Sequence, residues 1–380
     1  MRKSIILIAA VALLASGATA KKKELSKVRD ITIYRDSTFF SSFPSAVRTA
    51  DGDLLVAFRH APNQKLAGEP RNRHVDLNAY LVSVRSSDNG NTWTTEPQLM
   101  YAHAFGGSQD PCMIALSDGS ILCSSYGWSR TTENIPESNI HPKGVKAGTW
   151  RGLGGYLIKS TDNGRTWQGP MYPPPTKGTT ARNIYGKLLP AFNRGAMWQA
   201  KDSSLLWIVN RNSSNHLLKS PDGGKSWNYM SEVAKCDTIP FNEASVYETP
   251  KGDIVGFLRC ERKGNPAYIA RSKDGGKTFK YESMGFHGVP LTAMPVPDGR
   301  VLLVYGYRQA PYGVRARLLN SECTDWATAP EIVLRDDSLS PDCGYPWPVL
   351  LDDHHALVTY YITGDDPIQT RYIAGTIVEF

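Results

Sequence analysis

The sequence predicts an all-β fold, a six-bladed β-propeller, on three observations. One turn phrase occurs four times, a second turn-and-strand phrase occurs six times, and no stretch keeps a helical period. The first phrase is S-x-D-x-G-x-[TS]-[WF], at Ser86–Trp93, Ser160–Trp167, Ser220–Trp227 and Ser272–Phe279. Each copy reads as a hairpin turn in which Asp accepts local backbone hydrogen bonds, Gly supplies a positive φ and the aromatic packs beneath. The D-x-x-G of the first two copies lacks the alternating ligands and closing Glu of a calcium loop, so the phrases are structural.

The second phrase is a turn followed by an apolar strand, starting at Asp51, Asp118, Asp202, Lys251, Asp298 and Asp352. A clear copy of the first phrase follows each of the first four, one strand later. The fifth is followed by a decayed copy, Ser321–Trp326, that has lost its Gly. Six units of about 40 to 50 residues fit the period of a propeller blade. The sixth runs out at Phe380, so the early strand Ile31–Tyr34 is expected to close the ring by pairing with the last blade. Two stretches break the rhythm, Ser129–Leu153 and Gly169–Asn193, and are expected to rim the mouth of a site.

Residues 1–20 read as a secretory signal peptide: Met1-Arg-Lys, an apolar run Ile5–Leu14 and a small-residue end at Ala18–Ala20. The run is too short for a membrane span, and no Cys near the cut suggests a lipid anchor. Residues 21–380 then form one propeller domain, periplasmic or secreted and expected to be a monomer. Nine Trp, 18 Tyr, 33 Gly and 25 Pro suit many short strands joined by tight turns. The formal charge of +7 is spread along the chain, which disfavours nucleic acid and leaves an anionic small ligand open. The six Cys match no metal spacing, and no cofactor is implied. Cys112 and Cys123 flank a turn, either as a disulfide across a hairpin or as buried thiols. Trp128, Trp150, Trp198 and Trp347 offer faces for sugar stacking, although most Trp in such a fold are core.

A propeller gathers residues from its inner strands around one central cup. Candidates for that cup are Glu243 in Asn242–Val246, Arg259 after the fourth turn, Arg315 and Arg317 in Tyr312–Arg317, Tyr345 in Cys343–Pro348, and Asp76 in Arg73-His-Val-Asp76. Asp110 is a turn or subsite residue.

Turn phrases, blade count and the order of these residues resemble the sialidase (neuraminidase) superfamily over essentially the whole mature chain. The resemblance implies a retaining exo-glycosidase acting on a terminal acidic sugar of a glycan. It makes Tyr345 the nucleophile, Glu243 its base and Asp76 the acid/base. A neutral phenol suits a carbon that bears a carboxylate, and a neighbouring Glu must take its proton, since a phenol ionises near pH 10. Arg259 and Arg315 become two of three arginines clamping the substrate carboxylate, with Arg317 a substitute for Arg315. The chain departs from the family at two linked places. Ser42-Phe43-Pro44 stands where the first clamp arginine is expected, and Val358–Tyr361 stands where its steadying Glu is expected. Arg59, Arg71 or Arg73 are the candidates to compensate, Arg59 foremost. The competing readings are a glycosidase or lyase for another uronate-containing glycan and a non-catalytic glycan-binding propeller.

Overall fold

The computed structural model describes residues 23–130 and 149–380. The signal peptide assigned to residues 1–20 and most of the first insertion lie outside the described residues. Among those described, strands account for nearly all regular structure, with one 3₁₀ turn at Gln64–Ala67. No described helix is long and apolar enough to cross a membrane.

Six antiparallel sheets of four or five strands make the six blades. The last is built from the chain's two ends: Ser26–Tyr34 pairs with Arg371–Glu379, outside Gly344–Leu350 and His355–Thr363, and so closes the ring. The six turn phrases that start at Asp51, Asp118, Asp202, Lys251, Asp298 and Asp352 join the first and second strands of successive blades. Their apolar runs become second strands such as Leu54–Pro62 and Ile254–Cys260, buried on both faces between neighbouring blades.

The four aspartate turns join third and fourth strands, and their bonding repeats. In the third copy Asp222 Oδ1 accepts from Ser226 N at 2.8 Å, Asp222 Oδ2 from Ser226 Oγ at 2.6 Å, and Ser220 Oγ accepts from Gly224 N at 2.8 Å. Gly224 has φ +91, and a Cβ there would lie 2.7 Å from Leu122 of the preceding blade. The glycine therefore serves both the turn and the close approach of one blade to the next.

Cys112 and Cys123 do not face each other. The register pairs Cys112 with Ser124 and Met113 with Cys123, which sets the two thiols on opposite faces, and both are free and buried.

Inner strands are regular except where site candidates sit. The pairing slips between Ser42 and Ser45, between Phe241 and Ala244, and between Gly344 and Trp347. In the second blade the inner strand divides into Gly107–Ser108 and Cys112–Ala115, with Gln109, Asp110 and Pro111 between them, where Gln109 N still donates to Tyr126 O at 2.8 Å. Pro44, Pro111 and Pro346 cannot donate to a ladder, so they help fix three of these interruptions. Such bulges turn a side chain out of the alternating pattern and into the central cup.

Candidate active site

Tyr345 sits on the sixth-blade bulge with φ 55, a left-handed value rare for a bulky residue and matched in the adjacent first blade by Phe43 at φ 57. Gly344 before it has φ 95, and a Cβ there would lie 2.8 Å from Gly306 Cα, so only glycine lets the fifth and sixth blades meet here. The Tyr345 hydroxyl donates to Glu243 Oε1 at 2.8 Å. Arg259 Nη1 donates to Glu243 Oε2 at 2.6 Å and to the Tyr345 hydroxyl at 2.8 Å. Three side chains from the fourth and sixth blades thus form a closed hydrogen-bonded triangle.

Two further arginines surround the phenol. Arg194 lies over the Tyr345 ring at 4.9 Å and Arg308 at 5.4 Å, with Arg259 at 6.0 Å. Arg194 is fully buried and donates to the carbonyls of Pro44 at 3.0 Å and Tyr345 at 3.1 Å. Burial drives the Tyr345 phenol well above its ordinary value, and the Arg259 and Arg308 charges work against that rise. Burial pulls Arg259 down, but the charges of Glu243 and Tyr345 outweigh it and keep the guanidinium firmly protonated. The arrangement holds a neutral phenol beside a proton acceptor, with positive charge in place for the phenolate that transfer would create.

Asp110 lies in the same charged neighbourhood. Burial and then the charge of Glu243 push its carboxyl up to about 7, despite Arg194, Arg59 and Arg259. Its Oδ1 has no hydrogen-bond partner among the described residues.

The first blade contributes differently. Arg59, cross-strand partner of Ser42, is fully buried, and its Nε, Nη1 and Nη2 all lack partners among the described residues. Its guanidinium lies over the Phe40 ring at 5.4 Å. Burial lowers its guanidinium to about 10, against the opposing charges of Asp76, Asp110 and Asp342 among others. Asp76 is tied down locally, accepting from Gln64 Nε2 at 2.5 Å and Asn78 N at 2.8 Å, and it lines a surface cavity of about 340 Å³ with Arg73 and Trp150.

Of the residues singled out in sequence, the structure brings Glu243, Arg259 and Tyr345 into direct contact and sets Arg59 and Asp76 on the first-blade side. It does not bring Arg315 to them. Arg315 donates to the backbone of Arg335 and, at 3.3 Å, of Pro311, and stacks on Tyr307 at 4.5 Å. Arg317 bonds Tyr305 and Glu331. The arginine from the fifth blade that meets Tyr345 is Arg308. A positional signal for it existed: Arg59, Arg211 and Arg259 stand at or near the ends of second strands, and Arg308 follows the second strand of its own blade by one residue. Arg194 carried no comparable signal, because it lies in a loop before a two-residue inner strand. Trp198 and Trp347 are packed in the core clusters. Among the described residues no group of three or more His, Cys, Asp or Glu is placed to hold a metal.

Comparison with known proteins agrees with this architecture. A family model described as a BNR repeat-like domain matches residues 140–359. A sialidase of Bacteroides fragilis (strain YCH46) is 28% identical over 262 residues, 64% of this chain and 44% of that protein, so the chain spans under half the length of this relative. The crystal structure of a protein of unknown function from Dyadobacter fermentans DSM 18053 is 51% identical with a TM-score of 0.88, over 94% of this chain and 99% of that one. The K499G mutant of NanB sialidase from Streptococcus pneumoniae has a TM-score of 0.62 at 13% identity, over 91% of this chain and 70% of that one, and shares the fold.

Proposed function

The chain belongs to the BNR repeat-like domain family, and from that premise we propose that it is a retaining exo-glycosidase of sialidase type that removes a terminal acidic sugar from a glycan. The observation that carries this reading is the Tyr345–Glu243–Arg259 triangle, closed by contacts of 2.6 to 2.8 Å. In the proposed reaction Glu243 takes the phenol proton while the Tyr345 oxygen attacks the anomeric carbon. Asp76 protonates the departing glycan oxygen, then deprotonates the water that releases the sugar with its configuration retained. Arg259 and Arg308 hold the sugar's carboxylate and stabilise developing phenolate. Arg59, a buried guanidinium without a hydrogen-bond partner among the described residues, is the best-placed first-blade substitute for the arginine that Ser42 replaces.

The loss of that arginine favours a second reading, in which the same centre acts on another acidic sugar, a uronate, as hydrolase or lyase. The test is proton NMR of the purified protein with sialyllactose, following the axial and equatorial H3 signals. Early release of α-sialic acid, drifting to β, supports the first reading. No release over a day at high enzyme concentration rejects it. A rise in absorbance near 235 nm on uronate-containing glycans would then identify the lyase.

A further inference from the structure

Beside the Tyr345 centre, between the first and sixth blades, opens a cavity of about 550 Å³ whose wall includes Lys65, Arg71, Arg73, His74, Arg371 and Asp342. The four permanently charged cations of that wall meet one carboxylate, and that carboxylate is already committed. Asp342 accepts from Arg371, from the Tyr361 hydroxyl and, at 2.6 Å, from His74, and has Arg308 at 3.8 Å. Burial raises its carboxyl, but the His74 hydrogen bond and the Arg371 charge outweigh that and keep it ionised.

The other three cations are barely neutralised. Among the described residues, Lys65 Nζ reaches only uncharged acceptors, Ile368 O and Gln369 Oε1, each at 3.2 Å. Arg73 pairs with Glu69 at 3.4 Å, with both side chains about half exposed, which is worth little in water. Arg71 has no hydrogen-bond or ion-pair partner among the described residues. Like charges gathered in a concave wall repel one another, so something must hold them there. The loop does so itself: Asn63 Oδ1 accepts from Lys65 N, Asn72 Oδ1 from Gln64 N at 2.7 Å, and Gln64 Oε1 from Arg73 N at 3.2 Å. Gln64 Nε2 then fastens the loop to Asp76.

Only one aromatic layer separates this wall from the Tyr345 centre. The Phe43 ring is 5.4 Å from His74 on the cavity side and 4.8 Å from Tyr345 on the other. From this juxtaposition we infer that the cavity is a second oxyanion site, which binds a sulfate or carboxylate on a sugar other than the one attacked, so that the preferred glycan carries at least two acidic groups. The identity of the ligand as a glycan rests on the reading of the Tyr345 centre proposed above; the affinity for an oxyanion does not.

The test is calorimetric titration of inorganic sulfate, and separately of sodium glucuronate, into the Tyr345→Phe protein at low ionic strength, with chloride as the control. Arg71 and Arg73 are exposed, so the Arg71→Gln/Arg73→Gln pair should fold normally when added to that background. The expected result is saturable binding of sulfate, glucuronate or both that weakens about tenfold or more in the added pair. No saturable binding of either anion, or equal affinity with and without the pair, overturns the inference. Sialyllactose turnover by the unaltered protein reads on the Tyr345 centre alone, so a failure there and a failure here are told apart.

Discussion

The fourth and sixth blades and the first blade hold opposite kinds of buried polar group. Glu243, Arg259 and Tyr345 bond one another through short hydrogen bonds, with only Arg259 Nε left without a partner among the described residues. Arg59 sits fully buried with no hydrogen-bond partner for its guanidinium among the described residues. A satisfied set is rigid and chemically poised, whereas an unsatisfied buried charge costs stability and persists when something outside the fold uses it. Under the proposed function, the contrast separates reacting groups from recognition groups.

The largest effect should come from breaking the satisfied set. Tyr345→Phe should lower turnover on the cognate glycan on the order of 10³-fold or more, measured by the H3 NMR assay, with little change in binding of that glycan. If turnover survives it together with Glu243→Ala, Tyr345 is not the nucleophile.

The two buried arginines sharpen the comparison. Arg194→Met should destabilise the fold by about 2–3 kcal/mol in urea unfolding, because it strands the carbonyls of Pro44 and Tyr345. Arg59→Met should leave stability unchanged or raise it by about 1 kcal/mol, since it removes a buried charge without a hydrogen-bond partner, while raising KM about tenfold or more. Equal destabilisation by both substitutions would mean that Arg59 is structural.

A smaller effect is expected at the aspartate turns, far from the cup. Gly224→Ala should cost about 1–3 kcal/mol without altering KM, because of its positive φ and the nearby Leu122.

The last effect is read as a slope. Burial holds His60 and His216 at about 4 against 6.5 in the unfolded chain, so between those values the unfolded state binds more protons and stability falls as pH falls. Asp110, at about 7 against 3.8, has the opposite sign: the folded state holds its proton in that window and opposes the loss. Asp110→Asn should therefore steepen the acid limb between pH 6.5 and 4, by at most about 1.4 kcal/mol per pH unit near its middle, read from urea midpoints. An unchanged slope would mean that Asp110 is ionised at neutral pH.

Much of the architecture was legible because it is written locally. An aspartate turn needs its own Ser, Asp, Gly and Thr within eight residues, so four copies declare themselves, and the six turn-and-strand phrases mark the blades. Glu243 and Tyr345 were legible from their motifs. Arg308 was overlooked in favour of Arg315, two plausible residues seven apart in sequence, one just past the second strand of the fifth blade and the other within its third.

By itself, then, the sequence determined the class of fold, the number of blades, the closing strand and the hydrogen-bonded pair at the centre. The first three follow from turn chemistry and the strand runs between turns, carried by neighbours in the chain, and the pair from the resemblance that its motifs bear to the sialidase superfamily. The tertiary structure alone decided which arginines meet the phenol. Arg308 follows a second strand and reaches the cup, whereas Arg315 lies within a third strand and turns to the backbone of Arg335. It also decided that Arg59 is buried without a hydrogen-bond partner among the described residues and that Lys65, Arg71 and Arg73 face Arg371 across a cavity. Those contacts join residues up to 306 positions apart, and only closing the ring between the first and last blades brings them together.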